Sequence, residues 1–127
     1  MIVEDFPSFR KFVCSKLVLV AGLQVICEAT DGLDAVQKAE MLQPDLILLD
    51  IGLRGLNGIE VARRVRVLAP KSKIIFLTQE TSVDFVRQAV SLGAWGYVFK
   101  AHAEGDLLPA ISAVLSGKRF VSALRDP

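Results

Sequence analysis

The chain has few cysteines, and neither sign of charge is in clear excess. Cys14 and Cys27 lie in different apolar segments, without the CxxC or histidine-rich spacing that is typical of metal sites. We interpret both as reduced core residues, with a metal or disulfide role as the lesser alternative. Fifteen lysines and arginines against 14 acidic residues give a net charge of +1, which disfavours direct nucleic-acid binding by this chain.

The sequence also lacks long apolar runs and a secretion signal. The apolar run over 17–20 is followed by Ala21, Gly22 and then the polar Gln24, far short of the roughly 18 residues that a membrane-spanning helix needs. We therefore predict no membrane span. The chain opens with the acidic pair Glu4 and Asp5 and not with a basic segment before an apolar one, so we expect a cytoplasmic protein.

What the sequence does contain is a repeated alternation of two apolar patterns. The 127 residues are 52% hydrophobic, which is enough for one domain with a substantial core. Strand-like runs alternate five times with helix-period stretches, and no linker composition separates them. We predict strands over 1–3, 24–29, 46–49, 73–77 and 96–99. We predict helices over about 7–20, 57–68, 81–92 and 104–116, and a further helix that begins after Asp31 as its cap.

This alternation predicts a single α/β domain with a (βα)5 parallel sheet and helices on both faces. The segment over 46–49 is apolar on both sides, as an interior parallel strand must be. Residues 118–127 are expected to form a tail or the start of a linker. The carboxyl ends of all five strands should meet at one edge of the sheet, which is where ligands bind in such folds.

Polar residues follow four of the predicted strands at that edge: Glu4 and Asp5, Asp50, Thr78 and Lys100. Each alone is a common helix cap, turn residue or solvated charge. Together, three carboxylates repel one another, so they hold extra protons or share a cation. Oxygen ligands favour Mg²⁺. Because an aspartate can attack phosphorus to form an acyl phosphate, Asp50, which ends the most buried strand, is the candidate nucleophile.

These five positions, with the segments DIGLRGLNG over 50–58 and GAWGYVFK over 93–100, resemble the receiver domain of bacterial two-component response regulators, of the NarL/FixJ type. The resemblance covers nearly the whole chain and implies a flavodoxin-like fold with strand order 2-1-3-4-5. It implies a phosphoprotein that regulates transcription through an output domain absent from this chain. Such a domain is not an enzyme, although it takes part in its own phosphorylation and slow dephosphorylation.

The resemblance also implies roles for individual residues. Asp50 would accept a phosphoryl group from a phosphohistidine of a sensor histidine kinase. Mg²⁺ would be bound by Asp5, Asp50 and the backbone carbonyl of Gly52, with Glu4 acting through water. The phosphoryl group would be bound by Thr78 and Lys100. Tyr97 would be an aromatic switch that turns inward as Thr78 moves.

Three positions depart from the family pattern. The acidic pair is Glu4 and Asp5 where two aspartates are more common, which lengthens one arm and keeps the charge. Arg54 replaces a proline after Asp50, so we expect a less rigid loop. Ala101 replaces the proline that commonly follows the lysine, so we expect no cis peptide bond there.

Two other classes of protein remain open alternatives. One is an aspartyl-phosphate phosphohydrolase of the haloacid-dehalogenase type, and the other is a flavodoxin-like cofactor carrier. For the switch, Phe85 and Trp95 are expected to share one partner surface with Thr78 and Tyr97, through which phosphorylation promotes homodimerisation or partner docking. Ordinary core packing is the equal alternative for Trp95.

Overall fold

The computed structural model describes residues 1–53, 56–79 and 83–122, leaving aside the side chain of Val83. In this part of the chain, strands and helices alternate as predicted, and a short 3-10 turn over Lys100–His102 precedes the last helix. The elements are β1 (Ile2–Val3), α1 (Pro7–Leu17), β2 (Glu28–Ala29), α2 (Gly32–Leu42), β3 (Leu46–Asp50), α3 (Gly58–Leu68), β4 (Lys73–Thr78), α4 (Val83–Ser91), β5 (Gly96–Phe99), α5 (Ala103–Leu115) and β6 (Phe120–Val121).

The strands form one parallel sheet in the order 2-1-3-4-5-6. The predicted fold class and the order of the first five strands are therefore confirmed. All five residues of β3 are buried, in agreement with its predicted interior position. Alternate β3 side chains enter two separate cores, one under α2, α3 and α4 and the other under α1 and α5. Helices thus cover both faces of the sheet and leave the strand ends open.

The helix boundaries follow local capping chemistry. An Asp31 carboxylate oxygen accepts a hydrogen bond from the Asp34 amide at 2.9 Å, which confirms the predicted cap of α2. After α4 the chain turns at Gly93, whose φ of 82° is readily adopted only by glycine. The first helix ends at Leu17, earlier than predicted, because the amides of Leu19 and Val20 bond to carbonyls three residues back, each at 3.1 Å.

Two strands differ from prediction by more than one residue. Only Glu28 and Ala29 of the expected segment over 24–29 form β2, because its partner β1 is two residues long and pairs with those two alone. Within the predicted tail over 118–127, residues 120 and 121 add β6 to the edge of β5. The amide of Phe120 donates to the carbonyl of Trp95 at 3.0 Å. A two-residue strand offers too short a pattern to be recognised in the sequence.

Other sequence-based expectations concern a peptide bond, the two cysteines and membrane-spanning helices. The Lys100–Ala101 peptide bond is trans, as expected without a proline. Cys14 and Cys27 are free, half-buried thiols that pack against opposite cores. None of the helices formed by the described residues has the length and apolar character needed to span a bilayer. Arg54, residues 81–82 of the predicted fourth helix and residues 123–127 of the predicted tail lie outside the described residues.

Candidate functional site

The candidate site is a hollow of about 430 Å³ at the carboxyl ends of the strands. Glu4 and Asp5 follow β1, Asp50 and Thr78 are the last residues of β3 and β4, and Lys100 follows β5. All five line the hollow. The structure therefore brings together the polar residues that the sequence places at this edge. Parallel strands impose this arrangement, since their carboxyl ends point in the same direction.

The three carboxylates of Glu4, Asp5 and Asp50 form a compact cluster. Each offers an oxygen, and these oxygens all lie within 4.8 Å of one another. Glu4 is fully buried and Asp50 is 6% exposed, whereas Asp5 is half-buried. Backbone amides orient two of the carboxylates: Phe6 donates to Glu4 Oε1 at 3.1 Å, and Gly52 donates to Asp50 Oδ1 at 3.1 Å. Such a concentration of acceptors suits a hard cation.

Lys100 supplies the positive charge of the site. Its ammonium nitrogen lies 3.1 Å from Glu4 Oε1, 2.9 Å from Glu4 Oε2 and 3.5 Å from Asp50 Oδ1. The side chain of Lys100 is only 12% exposed, so solvent screens these contacts weakly. The nitrogen also lies 4.6 Å from the centre of the Phe9 ring. Lys100 thus contacts two carboxylates and an aromatic face.

Burial dominates the electrostatics of Glu4. Removal from water raises the pKa of this carboxyl above its ordinary value, and the nearby Asp50 charge raises it further. The hydrogen bond and charge of Lys100 act in the opposite direction, but they do not cancel the effect of burial. One lysine therefore leaves the cluster short of positive charge, and a divalent cation would relieve that shortage.

Close packing fixes the loop around Asp50. A side-chain carbon at Gly58 would lie 2.5 Å from the carbonyl oxygen of Asp50 and 2.6 Å from the α carbon of Ile51, so only glycine fits there. The Gly58 amide donates to the Ile51 carbonyl at 2.9 Å, and Asn57 caps α3 by accepting from the Glu60 amide at 3.0 Å. The start of α3 consequently supports the end of β3. Gly52, the proposed carbonyl ligand, is exposed at the mouth of the hollow.

Tyr97 lies inside the protein. It is 1% exposed, and its ring centre is 5.5 Å from that of Phe99 and 6.3 Å from that of Phe76. Through β5 it pairs with Phe76 of β4, two residues before Thr78. Tyr97 thus already occupies the inward position that the resemblance assigns to the activated form. Its switching role stays a prediction.

Phe85 and Trp95 pack on opposite faces of the sheet. Phe85 packs on the core under α2, α3 and α4 and lines the hollow. Trp95 packs on the opposite core, at the other end of β5, with the cationic groups of Lys73 and Arg119 at 4.5 and 4.8 Å from its ring centres. Nearness in sequence does not show which face of the sheet a residue takes. A partner surface that includes both residues stays a prediction.

Sequence reasoning missed two neighbours of the site. Phe9 of α1 was not among the predicted site residues, yet its ring lies against Lys100. Arg10 donates from its guanidinium to the backbone carbonyl of Glu4 at 3.0 Å, and its Nε lies 3.6 Å from Glu28. The proline at position 7, which begins α1, places both residues in the first turn beside the strand ends. The position of this proline just after β1 was the sequence signal that could have indicated both contacts.

Comparison with known proteins gives a consistent result. The family described as response regulator receiver domain matches residues 1–112. The nitrate/nitrite response regulator protein NarP of Escherichia coli is 35% identical over 122 residues, which are 96% of this chain and 57% of NarP. The response regulator GacA of Pseudomonas aeruginosa is 30% identical over 122 residues, 96% of this chain and 57% of GacA. This chain spans 56% to 59% of the curated relatives that it matches.

Solved structures agree with the sequence comparison. A two-component response regulator of the LuxR family from Aurantimonas sp. SI85-9A1 has a TM-score of 0.89 at 32% identity, covering 94% of this chain and 86% of that chain. The isolated REC domain of RcsB from Salmonella enterica serovar Typhimurium, solved with the phosphomimetic BeF3⁻, has a TM-score of 0.89 at 23% identity, covering 95% of this chain and 90% of that chain, which shows the fold alone.

None of these comparisons supports the phosphohydrolase or the flavodoxin-like carrier. The family match extends over most of the chain, from β1 into α5, and therefore includes every residue that lines the acidic hollow. This chain belongs to the receiver-domain family of response regulators, which are signalling domains of two-component systems and not classical enzymes.

Proposed function

We propose that this domain accepts a phosphoryl group on Asp50 from a sensor histidine kinase, in a magnesium-dependent reaction, and thereby changes its binding to a partner or to itself. The observation that carries this proposal is the cluster of Glu4, Asp5 and Asp50, whose oxygens lie within 4.8 Å of one another beside Lys100 and Thr78. Membership of the receiver family supports it. A cytoplasmic location is part of the same proposal.

The residues present fit a magnesium ion. All the donors are oxygens, the Glu4 carboxyl has a raised pKa, and Lys100 is the only cation among the described residues that line the hollow. Asp5, Asp50 and the Gly52 carbonyl would hold the ion directly, and Glu4 would act through a bound water. When bound, the ion neutralises charge on the phosphoryl oxygens.

The chain's own residues then perform the transfer. One Asp50 oxygen bonds to phosphorus while the phosphorus–nitrogen bond of the donor phosphohistidine breaks, and the imidazole keeps that electron pair. The Gly52 amide, which donates to Asp50 Oδ1 at 3.1 Å, orients the nucleophile. Lys100 and Thr78 bind phosphoryl oxygens. The domain thus takes part in its own phosphorylation and in its slow dephosphorylation without being a turnover enzyme.

The downstream effect is also proposed by analogy with relatives. NarP and GacA are named as response regulators, and this chain matches little more than half of each. We therefore propose that the domain controls transcription through an output domain. Movement of Thr78 toward the acyl phosphate, with Tyr97 held inward, would alter the surface of the β4 and β5 units.

Intact-mass spectrometry tests the central step. The protein is incubated with Mg²⁺ and a small acyl-phosphate donor, and we expect a mass gain of one phosphoryl group that is abolished by a chelator. Asp50→Asn should abolish the gain, because it removes the nucleophile and leaves a residue of nearly the same size. Asp45→Asn, which removes an exposed carboxylate just before β3, is the matched control and should behave as the wild type.

Two outcomes would contradict the proposal. A mass gain that persists in Asp50→Asn would place the modification on another residue. A full mass gain in the presence of the chelator would show that the carboxylate cluster reacts without a divalent ion.

A further inference from the structure

The aromatic ring of Phe9 is in contact with the reactive end of Lys100. The Lys100 nitrogen lies 4.6 Å from the ring centre, within the range of a cation–π interaction. Phe9 is half-buried in the first turns of α1 and packs on the core under α1 and α5. Its ring is therefore fixed by packing, and Lys100 rests on its face.

The contact with Phe9 can hold Lys100 in place when a cation binds the carboxylates. Lys100 lies within 3.1 Å of both Glu4 oxygens and 3.5 Å from Asp50, so it is the present counter-ion of the cluster. A divalent cation bound to the same carboxylates would repel the ammonium. A lysine side chain has four carbons and rotates freely, so without another contact it would move into solvent. Phosphoryl binding requires it to stay.

An aromatic face is suited to this task. The attraction between an ammonium and a ring does not depend on the charge state of the carboxylates, and it uses none of the three N–H groups of the lysine. Those donors remain available for phosphoryl oxygens. The ring also excludes water from one side of the nitrogen, which strengthens its contacts with anions.

We propose that Phe9 is a positioning residue, which keeps Lys100 at the phosphoryl site when a divalent cation replaces it on the carboxylates. This inference rests on the proposed function. It adds a residue that acts through Lys100 and does not itself line the acidic hollow.

Beryllofluoride, with Mg²⁺, is the binding probe, and Mg²⁺ alone is the reference. Phe9→Leu and Phe9→Met remove the ring and keep an apolar side chain, and Phe9→Tyr keeps the ring. Phe120→Leu is the matched control, because Phe120 is also half-buried and packs on the same core, but it pairs with Gly96 at the end of β5 opposite to Lys100. Affinities are measured by calorimetry on variants whose thermal unfolding shows that they are folded.

We expect Phe9→Leu and Phe9→Met to weaken beryllofluoride binding about five- to thirtyfold, the range between an exposed and a desolvated cation–π contact, because the Lys100 side chain is only 12% exposed. Binding of Mg²⁺ alone should not weaken. Phe9→Tyr and Phe120→Leu should bind beryllofluoride as the wild type does. Equal weakening in Phe120→Leu, or wild-type binding in both apolar variants, would overturn the proposal.

Proton NMR of the Lys100 side chain gives a second readout, which a purely structural role of Phe9 would not change. Protons of the terminal methylene above a ring face shift upfield, so the shift should be present in the wild type and in Phe9→Tyr and lost in Phe9→Leu. It should persist when beryllofluoride binds. Loss of the shift in the bound wild type would show that Phe9 does not hold Lys100 in that state. If the wild type does not bind beryllofluoride at all, the proposed function fails, while the shift without ligand still reports the contact.

Discussion

At the scale of single residues, the buried carboxylate of Glu4 shows that this site sacrifices stability. Its charge is removed from water and lies near Asp50, and Lys100 compensates only in part, so the pKa of the Glu4 carboxyl is raised. A group whose pKa is higher in the folded protein than in the unfolded chain binds protons more tightly when folded. Stability is therefore lost as the pH rises through the folded pKa of Glu4.

We predict that Glu4→Gln raises the stability of the metal-free domain at neutral pH. Glutamine keeps an oxygen for the Phe6 amide and removes the buried charge. The advantage over the wild type should shrink as the pH falls through the folded pKa of Glu4 and vanish below the unfolded value, about 4.3. Denaturant unfolding in chelator across a pH series measures it. A variant less stable than the wild type at neutral pH would show that the ion pair with Lys100 outweighs burial.

At the scale of secondary-structure elements, β6 is anchored by side chains as well as by its backbone. The hydroxyl of Ser122 donates to Asp106 Oδ2 of α5 at 2.8 Å and accepts from the Phe99 amide of β5 at 3.3 Å, and its own amide donates to the Tyr97 carbonyl at 2.8 Å. Ser122 and Asp106 are both buried. Ser122 therefore links the end of β6 to Tyr97 and Phe99 of β5, just before Lys100.

We predict that Ser122→Ala destabilises the domain by about 1–3 kcal/mol, because it removes partners from a buried carboxylate and a buried amide. Hydrogen exchange should quicken at the amides of Phe99 and residue 122, where β6 has separated from β5. Ser112→Ala, on the exposed side of α5, is the control and should leave both exchange rates unchanged. Unchanged exchange in Ser122→Ala would mean that the backbone pairing alone holds β6.

The same elements show how far the sequence determines the structure. The order of strands and helices was predictable because the spacing of apolar residues and the residues that end or begin helices indicate the same elements, as at Asp31 and Gly93. The strand-end position of Asp50 and Lys100 follows from parallel topology alone. The short β2 and the added β6 depend on which backbone groups find partners in the sheet, and the contact of Phe9 with Lys100 depends on tertiary packing, neither of which has a local pattern in the sequence.

At the scale of the whole molecule, folding is what gathers the charges of the site. Glu4 and Asp5 come from the first strand and Asp50 from the third, and the structure packs them at one edge with their oxygens within 4.8 Å. In the unfolded chain Asp50 is far from Glu4 and Asp5, so the three carboxylates bind a metal ion weakly. A ligand that binds only the folded state stabilises it. At concentrations well above Kd, the added stability grows with the logarithm of the ligand concentration.

We therefore predict that Mg²⁺ raises the thermal unfolding midpoint of the wild type, by the equivalent of about 2.7 kcal/mol when its concentration is 100 times Kd. Thermal unfolding in Mg²⁺ is compared with unfolding in chelator and sodium chloride of equal ionic strength, because general screening acts on every surface charge. Asp5→Asn should lose the rise, since it removes a proposed direct ligand. Lys100→Ala should keep it or increase it, because the competing cation is gone while Glu4, Asp5 and Asp50 remain. The opposite pattern, with the rise kept in Asp5→Asn and lost in Lys100→Ala, would show that the ion binds away from this cluster and depends on the lysine.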